Sequence, residues 1–161
     1  MTKAAYLEWF TEVLRPTEPT FRLVPHEKID FKLTERSFSI GQLLGHIPAS
    51  LSFFAGVISN NEPPLKSMRE IMVANRRQDS LTVEEGVQSL RKGIASFERA
   101  VGQLTEPQFQ SALLDTPQKG RTPYWRYCAF AVEHHIHHLM ELHINLRVLG
   151  IDVNTKTLYD A

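Results

Sequence analysis

The strongest constraint on the fold is a stripe of apolar residues at Val83, Val87, Leu90, Ile94, Phe97, Val101 and Leu104. Their alternating four- and three-residue spacing lines one face of an α-helix and would scatter over both faces of a strand. Thr82 and Glu85 precede it in capping-box positions, each side chain able to satisfy one orphan N–H of the first turn. Such a helix is stable only against partners, so the rest of the chain must supply further apolar faces.

Three other segments do so. Tyr6, Trp9, Phe10, Val13 and Leu14 form an i, i+3, i+4, i+7 stripe that Pro16 and Pro19 interrupt, with helix resuming across Phe21 to Val24. A second capping box, Ser39 and Gln42, opens a helix carrying Ile40, Leu43, Ile47, Phe54 and Ile58, which "NNEPP" ends. Pro48 inside it leaves the Leu44 carbonyl without its helical partner. The last helix is expected to take Thr122 as N-cap and Pro123 as its first residue, and to run to Leu149 before Gly150. No segment shows convincing strand alternation. A connection of about twenty residues, with a short helix across "MREIMVANRR", joins the second and third long helices. The expectation is an all-α four-helix bundle, up-down-down-up, formed as one domain over residues 1–161 with a long crossover between helices two and three.

Lys+Arg and Asp+Glu both number 18. That balance argues against a nucleic-acid partner, which calls for a basic excess. The start, "MTKAAYLEWF", lacks the apolar core of a secretory signal, and the apolar run around "LSFFAGVI" reads as too short to cross a bilayer. The single cysteine, Cys128, fits a reducing cytoplasm.

The last helix contains "VEHHIHHLMELH", Val132 to His143, which holds five of the chain's seven histidines. Packing charged imidazoles so closely would be repulsive, so a bound cation is the natural reason for the cluster. His134 and His138 have the i, i+4 spacing that lets two rings converge on one ion; His135 and His138 are the competing pair. Two imidazoles seldom hold a divalent ion tightly. His46, on the second long helix just before Pro48, is the third donor, and His26 in a loop is a weaker one. A lone His46 would more often be an ordinary core or surface histidine.

Cys128, Val132, His135, Leu139, Leu142, Leu146 and Leu149 form a separate four-three seam, so Cys128 reads as a buried thiol and not a nucleophile. Glu141 continues the ligand face as a partner for a metal-bound imidazole or a base, against the plain reading of a solvated surface acid. His137, one turn from both His134 and Glu141, is a second candidate for that role. Tyr127 reads first as packing, and Trp125 and Arg126 as edges of a substrate opening.

The run "HHIHHLMELHINLRVLG" and the earlier "RSFSIGQLLGHIPAS" together resemble the DinB-like (DNA-damage-inducible) four-helix-bundle proteins, over essentially the whole chain. The resemblance implies that His46, His134 and His138 are the ligands of a divalent ion, commonly zinc, nickel or iron. It implies a metal-dependent transferase acting on small molecules, with thiol S-transfer from a low-molecular-weight thiol among the known activities, and frequent homodimers. The family name describes induction and not DNA binding. This chain departs from the family pattern at His135, where Glu is usual, and at Leu139-Met140-Glu141, where Arg-Gly-Gln is usual. The remaining functional alternatives are a metal-dependent hydrolase, a noncatalytic metal-binding or stress-associated bundle, and a structural dimer that has lost its metal, against which the retained His46, His134 and His138 argue.

Overall fold

Three of the four long helices begin where a side chain closes the first turn. The computed structural model describes residues 1–159. Its helices are α1 (Lys3–Leu14), α2 (Thr17–Arg22), α3 (Ile40–Asn60), α4 (Met68–Arg76), α5 (Val83–Gln103), α6 (Glu106–Ser111), α7 (Tyr124–Val148) and α8 (Thr155–Tyr159). A 3-10 turn spans His26–Lys28, and a hairpin joins β1 (Leu113–Thr116) to β2 (Gly120–Pro123). Both expected capping boxes form, with Ser39 and Gln42 opening α3 and Thr82 and Glu85 opening α5. Asn61, at a φ of 52°, ends α3 in the left-handed conformation that its short polar side chain tolerates. Gly150 closes α7 at a φ of 78°: its N–H reaches the Arg147 carbonyl, and that of Ile151 reaches Leu146, the paired bonds of a Schellman motif.

The architecture is a mostly helical bundle with one small hairpin. Tyr6 donates to the Cys128 carbonyl while Thr17 and Thr20 meet His135 and His143, so the α1–α2 arm runs alongside α7 in the same direction. Phe10 stacks on Phe97, and Lys3 reaches the Gly102 carbonyl, so α1 opposes α5. Gly86 faces Leu44, and Gly93 faces Pro48 and Leu51, so α3 and α5 run in the same direction. A Cβ on Gly93 would lie 2.9 Å from the Pro48 carbonyl oxygen, which explains why the two backbones approach so closely there. The segment between them carries α4 across the bundle as the long crossover. The core stripe of α5 is buried from Val83 to Val101, with Ile94 partly covered.

Three local expectations change. Thr122 does not cap α7: it pairs with Leu114 in the hairpin, and Pro123, with a φ of −62° and a ψ of 148°, makes the junction. The Tyr124 N–H instead finds the Ala112 carbonyl. The hairpin itself ran against the all-α expectation. Only Leu114 and Thr116 of β1 are buried, so it shows a single in-out repeat, too short to stand out as alternation. Gly120, at a φ of 61°, supplies the left-handed position of its turn.

The third change concerns α3. Its 21 residues, whose most apolar 18-residue window has a mean hydropathy of 1.3, are long and apolar enough to cross a membrane by length and composition alone. The apolar run had read as too short because His46 and Pro48 divide it; 72% of that helix's most apolar window is buried inside the bundle.

Candidate metal centre

His46 points from α3 towards α7, and its Nε2 lies 3.2 Å from Nε2 of His134. One turn further along α7, the His138 ring centroid is 4.4 Å from that of His46 and 4.6 Å from that of His134. Each of the three histidines offers a nitrogen within 4.8 Å of the others. Of the two pairs the sequence left open, the structure therefore brings together His134 and His138. His135 turns into the core, fully buried, with Nε2 2.8 Å from the Thr17 hydroxyl. His143 likewise meets Thr20 at 3.1 Å. These two histidines tie α2 to α7 through Thr17 and Thr20. His26 is exposed in its 3-10 turn.

The local sequence explains the placement of His46. Gly41 and Gly45 precede it on α3, and a Cβ on Gly45 would come within 2.6 Å of the Asp79 carbonyl oxygen. Without side chains at these positions, the segment before α5 lies directly on α3 and brings Gln78 to the histidine. Gln42 donates to the Gln78 carbonyl at 3.2 Å and fixes that approach. On its other side His46 stacks on Phe38, the residue preceding the Ser39 cap, with ring centroids 4.8 Å apart. Phe54 and Phe130 flank His134 edge-on.

These surroundings decide the protonation states. Burial, followed by the charge of neighbouring His138, pushes the His46 pKa down to about 4, with Gln78 and Glu141 pulling weakly the other way. Burial and the surrounding imidazoles push His134 to about 3. Both rings are thus neutral at physiological pH, the form that presents a lone pair to a cation. Nδ1 of His138 donates to Glu141 Oε2 at 3.1 Å, which leaves Nε2 free to face the cluster.

The donor set fits a divalent ion. Metal–nitrogen bonds of about 2.0–2.1 Å in tetrahedral geometry separate ligand nitrogens by roughly 3.3 Å, close to the His46–His134 spacing. Three protein nitrogens leave a further coordination position for a small molecule. The buried His46/His134/His138 cluster can therefore hold a metal ion.

The sequence model of the DinB superfamily matches residues 10–142. The chain belongs to the DinB superfamily. Two solved DinB-like proteins share its fold. One from Bacillus subtilis is 20% identical, with a TM-score of 0.68 over 92% of this chain and 94% of that one. One from Bacillus cereus is 14% identical, with a TM-score of 0.70 over 95% and 96% of the two chains. No curated protein matches the sequence.

Within this DinB fold the departures from the family pattern acquire physical roles. His135 is the core histidine bonded to Thr17, Leu139 is buried at 5% exposure, and Glu141 holds His138. His137 is exposed on the outer side of α7, away from the converging rings. Trp125 is exposed, and Arg126 pairs with Glu133 at 2.5 Å. Tyr127 is buried against Phe54, and Cys128 is buried with its thiol pKa pushed far up by desolvation.

Two cavities meet at the cluster. One of about 350 Å³ is reached from His46 and His134 and lies beneath α4, between Phe53, Phe130, Leu65 and Ile71. The other, of about 400 Å³, is reached from His138 and Glu141 and is bordered by Lys32, Glu35, Arg36 and Arg76. Sequence reasoning found neither, nor Phe38 and Gln78 around His46. A hydrophobic residue immediately before a helix cap is a recognisable signal for a packed aromatic.

Proposed function

We propose that this DinB-superfamily chain is a metal-dependent transferase that joins a low-molecular-weight thiol to a small electrophile. The observation that carries the reading is the convergence of three histidines, at least two of them held neutral by burial, at the meeting point of two cavities large enough for small molecules. A divalent ion such as zinc, nickel or iron, when bound, supplies a Lewis acid that favours the anionic form of a thiol or water near neutral pH.

The chain's own residues do the rest. His46, His134 and His138 fix the position of the reacting group. Glu141 orients His138 through one carboxylate oxygen; the other accepts the thiol proton. The sulfur then forms its bond to carbon while the leaving group departs with the electron pair of the bond that breaks. Phe54 and Phe130, packed beside His134, limit water on that side. The exposed position of His137 removes it from this scheme and leaves Glu141 as the base. A reducing cytoplasm suits a free thiol substrate and the unpaired Cys128.

The second reading is a noncatalytic metal-binding protein, which the same three histidines serve equally well. Turnover of several thiols with a generic electrophile separates the two, comparing metal-loaded protein, chelator-treated protein and His138→Ala. The transferase reading requires that only the loaded protein with His138 intact accelerates the reaction. Equal rates in all three, for every thiol and metal, establish the noncatalytic alternative.

A further inference from the structure

The two cavities that flank the histidines differ in chemistry, and the difference is built by separate elements. On the His46 and His134 side, α3 and α7 contribute Phe53, Phe54 and Phe130, and α4 roofs the space with Leu65 before it and Met68 and Ile71 on it. The described lining of that cavity includes no Asp, Glu, Lys or Arg. On the His138 side, the loop before α3 contributes Lys32, Glu35 and Arg36, and α4 contributes Arg76. Among the described residues none of the three cations there takes part in an ion pair. Of the two carboxylates, Glu141 already accepts from His138. Three cations against two acids leave this cavity with a positive field close to the histidines. Asn75, one residue before Arg76, borders both spaces and marks where they join.

We infer that the centre receives its two ligands from opposite sides: an apolar, aromatic-sized group beneath α4, and a partner bearing a small oxyanion, carboxylate or phosphate, against Lys32, Arg36 and Arg76. This rests on the transferase reading and extends it by assigning a substrate class to each side. An apolar group gains by leaving water for the aromatic cavity, whereas an oxyanion would lose its hydration there without recompense. The guanidinium groups of Arg36 and Arg76 are suited to planar oxyanions, and their exposure makes the attraction sensitive to salt. The reactive end of either molecule then reaches the histidines only if the other end sits in its own cavity. Thus charge decides which cavity each molecule enters.

Binding of defined probes tests this without turnover. N-phenyl-1-naphthylamine, neutral and brighter outside water, reports the apolar cavity. Succinate and inorganic phosphate, followed by calorimetry, report the cationic one. Mercaptosuccinate is compared with uncharged 2-mercaptoethanol on zinc-loaded protein. Arg36→Gln combined with Arg76→Gln is expected to weaken succinate or phosphate at least tenfold and leave the naphthylamine unaffected. Ile71→Glu, and separately Ala49→Phe from an exposed position, are expected to do the reverse. Mercaptosuccinate is expected to bind at least tenfold more tightly than 2-mercaptoethanol, an advantage lost in the double arginine variant and at high salt. Succinate against phosphate identifies the preferred oxyanion.

The inference is overturned if both probe types respond to the same variants, or if the charged thiol has no advantage. Protein that sorts the probes as expected but never joins a thiol to an electrophile overturns the transferase reading and leaves the two cavities standing. Turnover indifferent to Arg36, Arg76 and Ile71 overturns the division of the site and leaves the reaction.

Discussion

Glu141 holds His138 from behind: its Oε2 accepts from Nδ1 at 3.1 Å, one helical turn along α7. The bond selects the tautomer whose Nε2 faces His46 and His134, and it resists rotation of the ring out of the cluster. Glu141→Ala is therefore expected to lower metal affinity by about 10- to 100-fold while leaving the three histidines in place. Competition with a chromogenic chelator measures it. Affinity unchanged in the variant would show that packing alone orients His138.

The buried histidines make the metal-free protein sensitive to acid. Burial lowers the pKa of His46 and His143 to about 4, and that of His134 and His135 to about 3, against about 6.5 in the unfolded chain. Above pH 6.5 both states hold these rings neutral and they contribute no pH dependence. As pH falls through 6.5 the unfolded chain takes up protons that the folded one refuses, so stability is lost down to about pH 4 and further towards 3. Each group adds at most about 1.4 kcal/mol of destabilisation per pH unit within that window. The urea midpoint of metal-free protein should be lower at pH 5 than at pH 7.5. A constant midpoint would mean that the rings are protonated in the fold.

The close passage of α3 over α5 gives a third expectation. Gly93→Ala places a methyl group 2.9 Å from the Pro48 carbonyl oxygen, a backbone atom that cannot rotate aside. Overpacking of this kind costs about 1–3 kcal/mol. Gly102→Ala, where a Cβ meets nothing within 4 Å, is the control and should be neutral or slightly stabilising. Thermal denaturation of the two variants distinguishes them; equal behaviour would show that α3 and α5 separate without cost.

Cys128 lies fully buried, with its thiolate strongly disfavoured by desolvation. Cys128→Ser should keep metal content and any turnover and lose only a packing contribution. Its effect is expected in the melting temperature alone. Loss of metal from a folded variant would give the cysteine a role that its position does not suggest.

The sequence made the bundle legible because its signals are local and repeated. The four-three stripe from Val83 to Leu104 and the boxes at Ser39 and Thr82 each state a helix independently of their neighbours. The approach of His46 to His134 was also readable, since i, i+4 spacing on one helix and a single histidine on another leave few ways to complete a cluster. The hairpin was hidden because its short strands bury little, and Thr122 and Pro123 imitate the start of a helix. The helix α6 was missed although Thr105 and Gln108 form a capping box, because at six residues it carries only Phe109 into the core. The cavities were not readable at all. They arise from where α4 crosses α3 and α7, a long-range arrangement that no short pattern encodes.

His135 supplies the last prediction, because the histidine-rich segment serves two purposes at once. Its ring is fully buried, Nε2 lies 2.8 Å from the Thr17 hydroxyl, and Nδ1 has no hydrogen-bond partner among the described residues. The Thr17 contact is thus the one polar bond that compensates for burying this imidazole. Thr17→Val preserves the shape of the threonine and removes only the hydroxyl, leaving both ring nitrogens unsatisfied in the core. A buried group deprived of its partner costs about 1–3 kcal/mol. In a chain of this length each kcal/mol moves the melting temperature by about 2–4 °C. Thr17 bonds His135 and none of His46, His134 and His138, so the variant should bind zinc with the affinity of the parent protein. His134→Ala should behave in the opposite way, losing zinc with little change in the melting temperature of the metal-free protein. A Thr17→Val protein that melts like its parent would show that His135 needs no partner. One that loses zinc while remaining folded would show that the Thr17–His135 contact is coupled to the cluster.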